Sequence, residues 1–173
     1  MEIKKIFLDM DGVISDFHKK YEERFKKRPE TTRKRGGPKN ADWYTFIEEK
    51  HFEQLDWFPN AITLLLFVES LKIPVEILSS SGGSEGHEDI TKQKIKWLKE
   101  RNITYKANIV AGRKFKIDYA EPGSVLIDDT KDVIDEFNAR EDSIGILHTD
   151  TDTTIAILKS ILNNSYDSNS KVV

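Results

Sequence analysis

Five short apolar runs, at residues 3–8, 75–78, 107–110, 124–127 and 143–147, punctuate this chain, with helix-like segments between them. Each run is almost continuously apolar rather than alternating, the pattern of a strand covered on both faces. Helix-length connections between such strands make them run parallel through right-handed crossovers, and they place a ligand site beyond the carboxyl ends of the strands. The spacing predicts helices at 60–71, 89–98, 131–139 and 151–162. In the second, Asp89 suits an N-cap, and Ile90, Ile95, Trp97 and Leu98 fall roughly on one face, with Trp97 in the core. Val133, Ile134 and Phe137 define the third apolar face, and Ile155, Ile157, Leu158, Ile161 and Leu162 the fourth. The expected architecture is α/β: a Rossmann-like five-stranded parallel sheet with flanking helices.

One interval breaks the rhythm. Residues 9–74 are far more than a single crossover needs. They hold a helical stretch at 16–27, a basic, breaker-rich piece at 28–40, an aromatic segment at 42–47 and a second aromatic stretch at 51–59. We read residues 15–58 as a small helical cap inserted after the first strand, hanging over its carboxyl end. Residues 1–14 and 59–162 then form the core, and the Asn- and Ser-rich 163–173 a flexible tail. Residues 24–39 carry eight basic side chains against one acid, Glu30. They read as a solvated loop, with steering of phosphorylated substrates as the alternative.

Composition removes several chemistries. The chain has no cysteine, so disulfides, thiolate zinc sites and cysteine nucleophiles are excluded. A net charge of −3 gives no general case for nucleic-acid binding. The sequence opens on a strand rather than a signal peptide, and no apolar run reaches membrane-spanning length. The expectation is a cytoplasmic protein with no membrane partner.

The strand ends carry the chemistry. The first run finishes in Asp9-Met10-Asp11-Gly12-Val13. On extended backbone Asp9 and Asp11 share side-chain parity, so both can face one site, and Gly12 permits a sharp turn beyond them. Their repulsion falls if a hard cation lies between them, which suits magnesium and a carboxylate nucleophile. A calcium loop begins similarly, but the next residues here are Val13 and Ile14, and Lys20 stands where the loop needs its glutamate. The second run leads into Ser79-Ser80-Ser81-Gly82-Gly83, whose hydroxyls and backbone N–H groups can hold phosphate oxygens or simply form a polar loop. Lys114 and Lys116 follow the third run. The fourth ends in Asp128-Asp129, a second acidic pair for which a metal is the economical explanation. His18, His51, His87 and His148 lack metal-ligand spacing and read as structural or surface residues.

Acid pair, hydroxyl, lysine and acid pair in this order resemble the haloacid dehalogenase superfamily of phosphatases, on Asp9 to Val13, Ser79, a lysine at 114 or 116, and Asp128-Asp129. The resemblance implies Asp9 as nucleophile, forming an aspartyl-phosphate, and Asp11 as general acid and base. It implies Ser79 and the lysine as partners of the transferring phosphoryl group. Magnesium would be held by the Asp9 carboxylate, the Asp11 backbone carbonyl and Asp128, with Asp129 in support. A lysine shortly before a Tyr-Ala pair, here Tyr119-Ala120, favours Lys116, with Lys114 as alternative.

Within that superfamily, residues 9–17, 51–55, 59–61 and 126–129 resemble the 5'(3')-deoxyribonucleotidases. That likeness implies Phe17 against a nucleobase, with Trp43, Phe46 and Phe52 as further substrate-binding candidates beside Ser80; each of those three also reads as core of the cap. The basic 28–40 segment and the 82–87 loop depart from the family pattern. The expected activity is magnesium-dependent hydrolysis of (deoxy)nucleoside monophosphates. The alternatives are another phosphomonoester, such as a polynucleotide 3'-phosphate or a sugar phosphate, and a non-catalytic nucleic-acid-binding protein. Oligomeric state, a homodimer included, is left open by the sequence.

Overall fold

Strand β1 (Lys5–Leu8) is the middle of a five-stranded sheet in the order β3-β2-β1-β4-β5, parallel throughout. The computed structural model describes residues 2–29 and 40–169, with side chains described as far as 164. The other strands are β2 (Val75–Ser80), β3 (Lys106–Val110), β4 (Ser124–Asp128) and β5 (Ile144–Leu147), within two residues of the expected runs. Alternate β1 residues serve opposite faces. Ile6 and Leu8 pack with Ile77, Val125 and Ile127 on one side, while Phe7 joins Leu78, Leu126, Val133, Ile134 and Phe137 on the other. Full burial of one such side chain contributes about 1.5–3 kcal/mol. The near-continuous apolar character of the strands therefore supports two cores at once.

Register determines where the acids meet. Leu8 lies opposite Ile127 of β4 and Ile77 of β2. Asp9 is thereby level with Asp128, and Ser79 emerges one residue further along β2. Strand order reverses between β1 and β4, and in open α/β sheets the crevice at that reversal is where ligands bind.

The helices are α1 (Phe17–Phe25), α2 (Ala41–Glu48), α3 (Ala61–Ser70), α4 (His87–Glu100), α5 (Lys131–Asn138) and α6 (Thr151–Asn169). Two 3₁₀ turns, His51–Glu53 and Arg113–Tyr119, complete the set among the described residues. Three details depart from the sequence reading. Helix α4 starts earlier than expected, with Gly86 rather than Asp89 in the capping position; Asp89 lies in its first turn, where a negative charge still complements the helix dipole. The buried stripe of α4 is Ile90, Gln93, Lys94, Trp97 and Leu98, and Ile95 is 43% exposed. A period of 3.6 groups 90 with 93–94 and 97–98 and leaves 95 outside. Helix α6 continues to Asn169, beyond the expected helix end at residue 162. No Gly or Pro interrupts that stretch, and extending an existing helix requires no new nucleus. Residues 170–173 lie outside the described residues.

The cap leaves and rejoins the core on paired stems. Asp16 donates its N–H to the Asp56 carbonyl at 2.9 Å, and Phe58 donates to Ile14 at 3.0 Å. Helix α4 then fixes the cap from below. The Gln93 side chain accepts from Phe52 N–H (3.1 Å) and donates to the Ile47 carbonyl (2.9 Å). Trp97 Nε1 and an Arg101 guanidinium nitrogen both donate to the Leu55 carbonyl at 2.8 Å. No helix among the described residues is long and apolar enough to cross a membrane.

Candidate active site

Beyond β1 the chain curls tightly, with the Met10 carbonyl accepting from the N–H groups of Val13, Ile14 and Ser15. This turn separates the two carboxylates that share parity on the strand. Asp9 is 5% exposed; its Oδ1 accepts from Met10 N–H at 2.7 Å and its Oδ2 meets Lys116 Nζ at 2.9 Å. Asp11 turns the other way. Its Oδ1 pairs with Ser15 Oγ at 3.1 Å, and its Oδ2 accepts from Lys94 Nζ at 2.6 Å. Each of the two acids thus meets its own lysine.

Of the two candidate lysines, Lys116 lies among the strand-end acids and Lys114 does not. The 3₁₀ turn after β3 sends Lys116 inward, 2% exposed, where it also meets Asp128 Oδ2 at 2.6 Å. Lys114 is exposed and lies over the Phe115 ring. Burial would lower the Lys116 ammonium, but Asp9 and Asp128 outweigh it and hold its pKa above the usual lysine range. Asp128 is fully buried; burial and then the Asp9 charge push its carboxyl upward, against Lys116 and the Thr130 N–H.

Asp129 is the exposed member of the group. Removal of part of its carboxyl from water, and then the charges of Asp9 and Asp128, push it up to about 7. Asp9, Asp128 and Asp129 each offer an oxygen, all within 4.8 Å of one another. An all-oxygen, anionic donor set beside a strand end fits a hard divalent cation such as magnesium. The Asp11 side chain, held aside by Lys94, is not in this group; the expected metal contact of this residue was its backbone carbonyl.

Lys94 was missed by sequence reasoning. It projects from the buried face of α4, 0% exposed, and donates to Asp11 Oδ2, to Ser79 Oγ at 2.9 Å and to the Ser80 carbonyl at 3.1 Å. The available signal was a lysine standing inside the apolar stripe of an amphipathic helix. Ser79 is 1% exposed, and its Oγ accepts from Lys94 Nζ. Ser80 is half-buried, and its Oγ accepts from Gly82 N–H at 2.9 Å.

The aromatic candidates divide. Phe46 and Phe52 are buried, at 0% and 1% exposure, inside a cluster with Phe17, Tyr21, Phe25 and Trp43. Neither offers a face to a ligand, which corrects their assignment as substrate contacts: a cap this small needs its own core. Phe17, stacked on Phe52 at 5.7 Å, and Trp43 are the partly exposed rings. Of the basic segment, residues 30–39 lie outside the described residues, while Arg24, Lys27 and Arg28 pair with Glu49, Asp42 and Glu22. A cleft of about 280 Å³ opens beside Asp129, lined by Gly12, Asp16, His18, Phe58 and His148. His148 is buried against Thr154 Oγ1 (2.8 Å), and burial lowers its pKa, so it is a neutral wall of that cleft.

Comparison with known proteins bears on the fold and the family. No curated protein matches the chain by sequence. Among solved structures, a hydrolase from Streptococcus pneumoniae TIGR4 superposes with a TM-score of 0.54 at 12% identity, over 92% of this chain and 100% of that one. YfnB of Bacillus subtilis, a HAD-hydrolase by its description and bound to magnesium, superposes with a TM-score of 0.52 at 10% identity, over 94% and 100%. At such identities these likenesses establish the fold. A family model described as "5' nucleotidase, deoxy (Pyrimidine), cytosolic type C protein" matches residues 2–159. With a match across nearly the whole chain, on a haloacid dehalogenase-like fold, this protein belongs to that 5'-nucleotidase family of phosphoric monoester hydrolases.

Proposed function

We propose that the protein is a magnesium-dependent phosphomonoesterase that hydrolyses nucleoside monophosphates, deoxynucleotides foremost, through an aspartyl-phosphate on Asp9. The observation that carries this reading is the separation of the two carboxylates. Asp9 lies with Lys116, Asp128 and Asp129, while Asp11, two residues on, is held outside that group by Lys94. One acid thus has the surroundings of a nucleophile, and the other stands apart from them for proton transfer.

In the first half-reaction an Asp9 oxygen forms a bond to phosphorus as the bond to the leaving oxygen breaks, and Asp11 gives that oxygen its proton. In the second, water attacks phosphorus, Asp11 takes a proton from the water, and the Asp9–phosphorus bond breaks to release inorganic phosphate. Lys116 and the Ser79 hydroxyl face the charge on the phosphoryl oxygens. Magnesium held by Asp9, Asp128 and Asp129 would supply further neutralisation of that charge.

Support for a nucleotide comes from the family description and from Phe17 and Trp43, aromatic residues of the cap that are only partly buried. The cytosolic type named in that description supports a cytosolic site of action. Residues 15–58 act in this reading as the cap that closes over the bound ester. The test is a magnesium-supplemented assay of the purified protein against ribo- and deoxynucleoside monophosphates, 3'-phosphorylated oligonucleotides and sugar phosphates. Turnover of deoxynucleotides that Asp9→Asn abolishes is the expected result. Full activity in Asp9→Asn overturns the mechanism, and preference for an oligonucleotide or sugar phosphate overturns the substrate.

A further inference from the structure

Two lysines are buried at this site, and the mechanism above uses only Lys116. A buried ammonium has three donors and no acceptor. Those of Lys94 are all taken, by Asp11 Oδ2 at 2.6 Å, Ser79 Oγ at 2.9 Å and the Ser80 carbonyl at 3.1 Å. None remains for a phosphoryl oxygen, so whatever Lys94 does for the reaction passes through its partners. Its backbone is firmly set: Gln93 ties the same turn of α4 to two cap backbone groups, and Trp97 ties the next turn to Leu55.

We propose that Lys94 is the positioning residue of proton transfer: it fixes the Asp11 carboxyl so that Oδ1 exchanges the proton, and it orients the Ser79 hydroxyl toward the phosphoryl group. The inference rests on the phosphatase reading above. An oxygen that receives an ammonium at 2.6 Å is electrostatically the wrong one to protonate, which leaves Oδ1. There the only near side-chain partner in the described hydrogen bonds is Ser15 Oγ at 3.1 Å, fully buried. A hydroxyl can donate to Oδ1 when Asp11 is ionised and accept from it when Asp11 is protonated, so Ser15 serves both halves of the cycle. At Ser79, accepting from Lys94 leaves the single hydroxyl proton to be donated elsewhere, and the phosphoryl site is where such a donor is needed.

The test is Lys94→Met, which matches the aliphatic stem of lysine and removes its donors. Two esters are compared: p-nitrophenyl phosphate, whose leaving group departs without a proton, and an alkyl phosphomonoester such as a nucleoside 5'-monophosphate, whose leaving group needs one. General acid catalysis is worth about 10²–10⁴-fold. The expected result is a fall in kcat/KM of about 100-fold or more for the alkyl ester and under about tenfold for p-nitrophenyl phosphate. Breakdown of the aspartyl-phosphate also loses its base, so p-nitrophenolate should appear in a burst of one equivalent per site before slow turnover. Equal falls for both esters, with no burst, overturn the inference, because a structural role would impair both alike. If Lys94→Met does not fold, judged by circular dichroism and melting, Lys94→Gln is measured by the same two ratios. Its amide keeps donors but no charge. A wild-type protein that turns over neither ester overturns the phosphatase reading and this inference together. Asp9→Asn inactivity beside unselective loss in Lys94→Met overturns the inference alone.

Discussion

Gly12 and Asp129 stand in a contact that admits no side chain: a Cβ added to Gly12 would collide with the Asp129 carboxylate. Gly12 also lies at φ +79°, a conformation that costs an L-residue about 1–2 kcal/mol. Gly12→Ala is therefore expected to displace Asp129 from Asp9 and Asp128. Magnesium affinity should fall about 10–100-fold, the range for a lost supporting contact around a metal. Denaturant unfolding should show a loss of about 1–3 kcal/mol. Combining it with Asp129→Ala removes the collision, so the double variant should lose less stability than the sum of the two. Strict additivity would mean that the contact is not the cause.

Lys116 bridges Asp9 and Asp128 at 2.9 and 2.6 Å, and all three side chains are buried. Lys116→Met leaves two carboxylates facing each other without a cation. Breaking a buried pair in this way costs about 3–5 kcal/mol. Because magnesium would bind the same acids, millimolar magnesium should recover part of that loss in the variant while changing the wild type less. Lys114→Met, on the surface, should stay within about 0.5 kcal/mol of wild type. Equal stability of the two variants in metal-free urea unfolding would contradict the arrangement.

The strand-end residues were legible in the sequence because register is simple arithmetic. Three apolar runs of similar length, each ending in a polar residue, bring Asp9, Ser79 and Asp128 to one edge wherever the strands pair in line. Lys116 was legible only through resemblance, since spacing alone left Lys114 open. Lys94 was illegible for a physical reason. A lysine on a helix is ordinarily solvated, and its burial depends on an Asp11 partner 83 residues away in sequence. The aromatic residues of the cap were ambiguous in the same way: Phe17 and Phe52 look alike in sequence, and packing decides which one keeps an open face.

Metal binding should be proton-linked through Asp129. Without metal its carboxyl titrates at about 7, above the ordinary value near 4. The folded state therefore holds this proton more tightly than the unfolded chain, and the associated stability is lost as pH rises from about 4 to about 7. Other acids such as Glu49 and Asp150 are shifted the opposite way, so the informative quantity is wild type minus Asp129→Asn. That difference should tilt against the wild type with rising pH in metal-free melts, and the tilt, though not the difference itself, should vanish at saturating magnesium. Apparent magnesium affinity should climb from pH 5 to about 7 and then level off. A flat titration in the wild type would remove Asp129 from the metal group.

Side chains of the core helix α4 hold backbone groups of the cap through hydrogen bonds, and Gln93 is the clearest case. Its side chain is 2% exposed and serves the Phe52 N–H and the Ile47 carbonyl together. Gln93→Leu keeps the volume and leaves both buried backbone groups unpaired, at about 1–3 kcal/mol each. The loss should be local. Hydrogen exchange at the Phe52 amide should accelerate far more than at the β1 amides of Ile6 to Leu8, because the cap can detach at its stems while the central strand stays paired. Exchange that quickens equally in β1 and the cap would show that the two open as one unit, and that α4 does not act as a separate clamp.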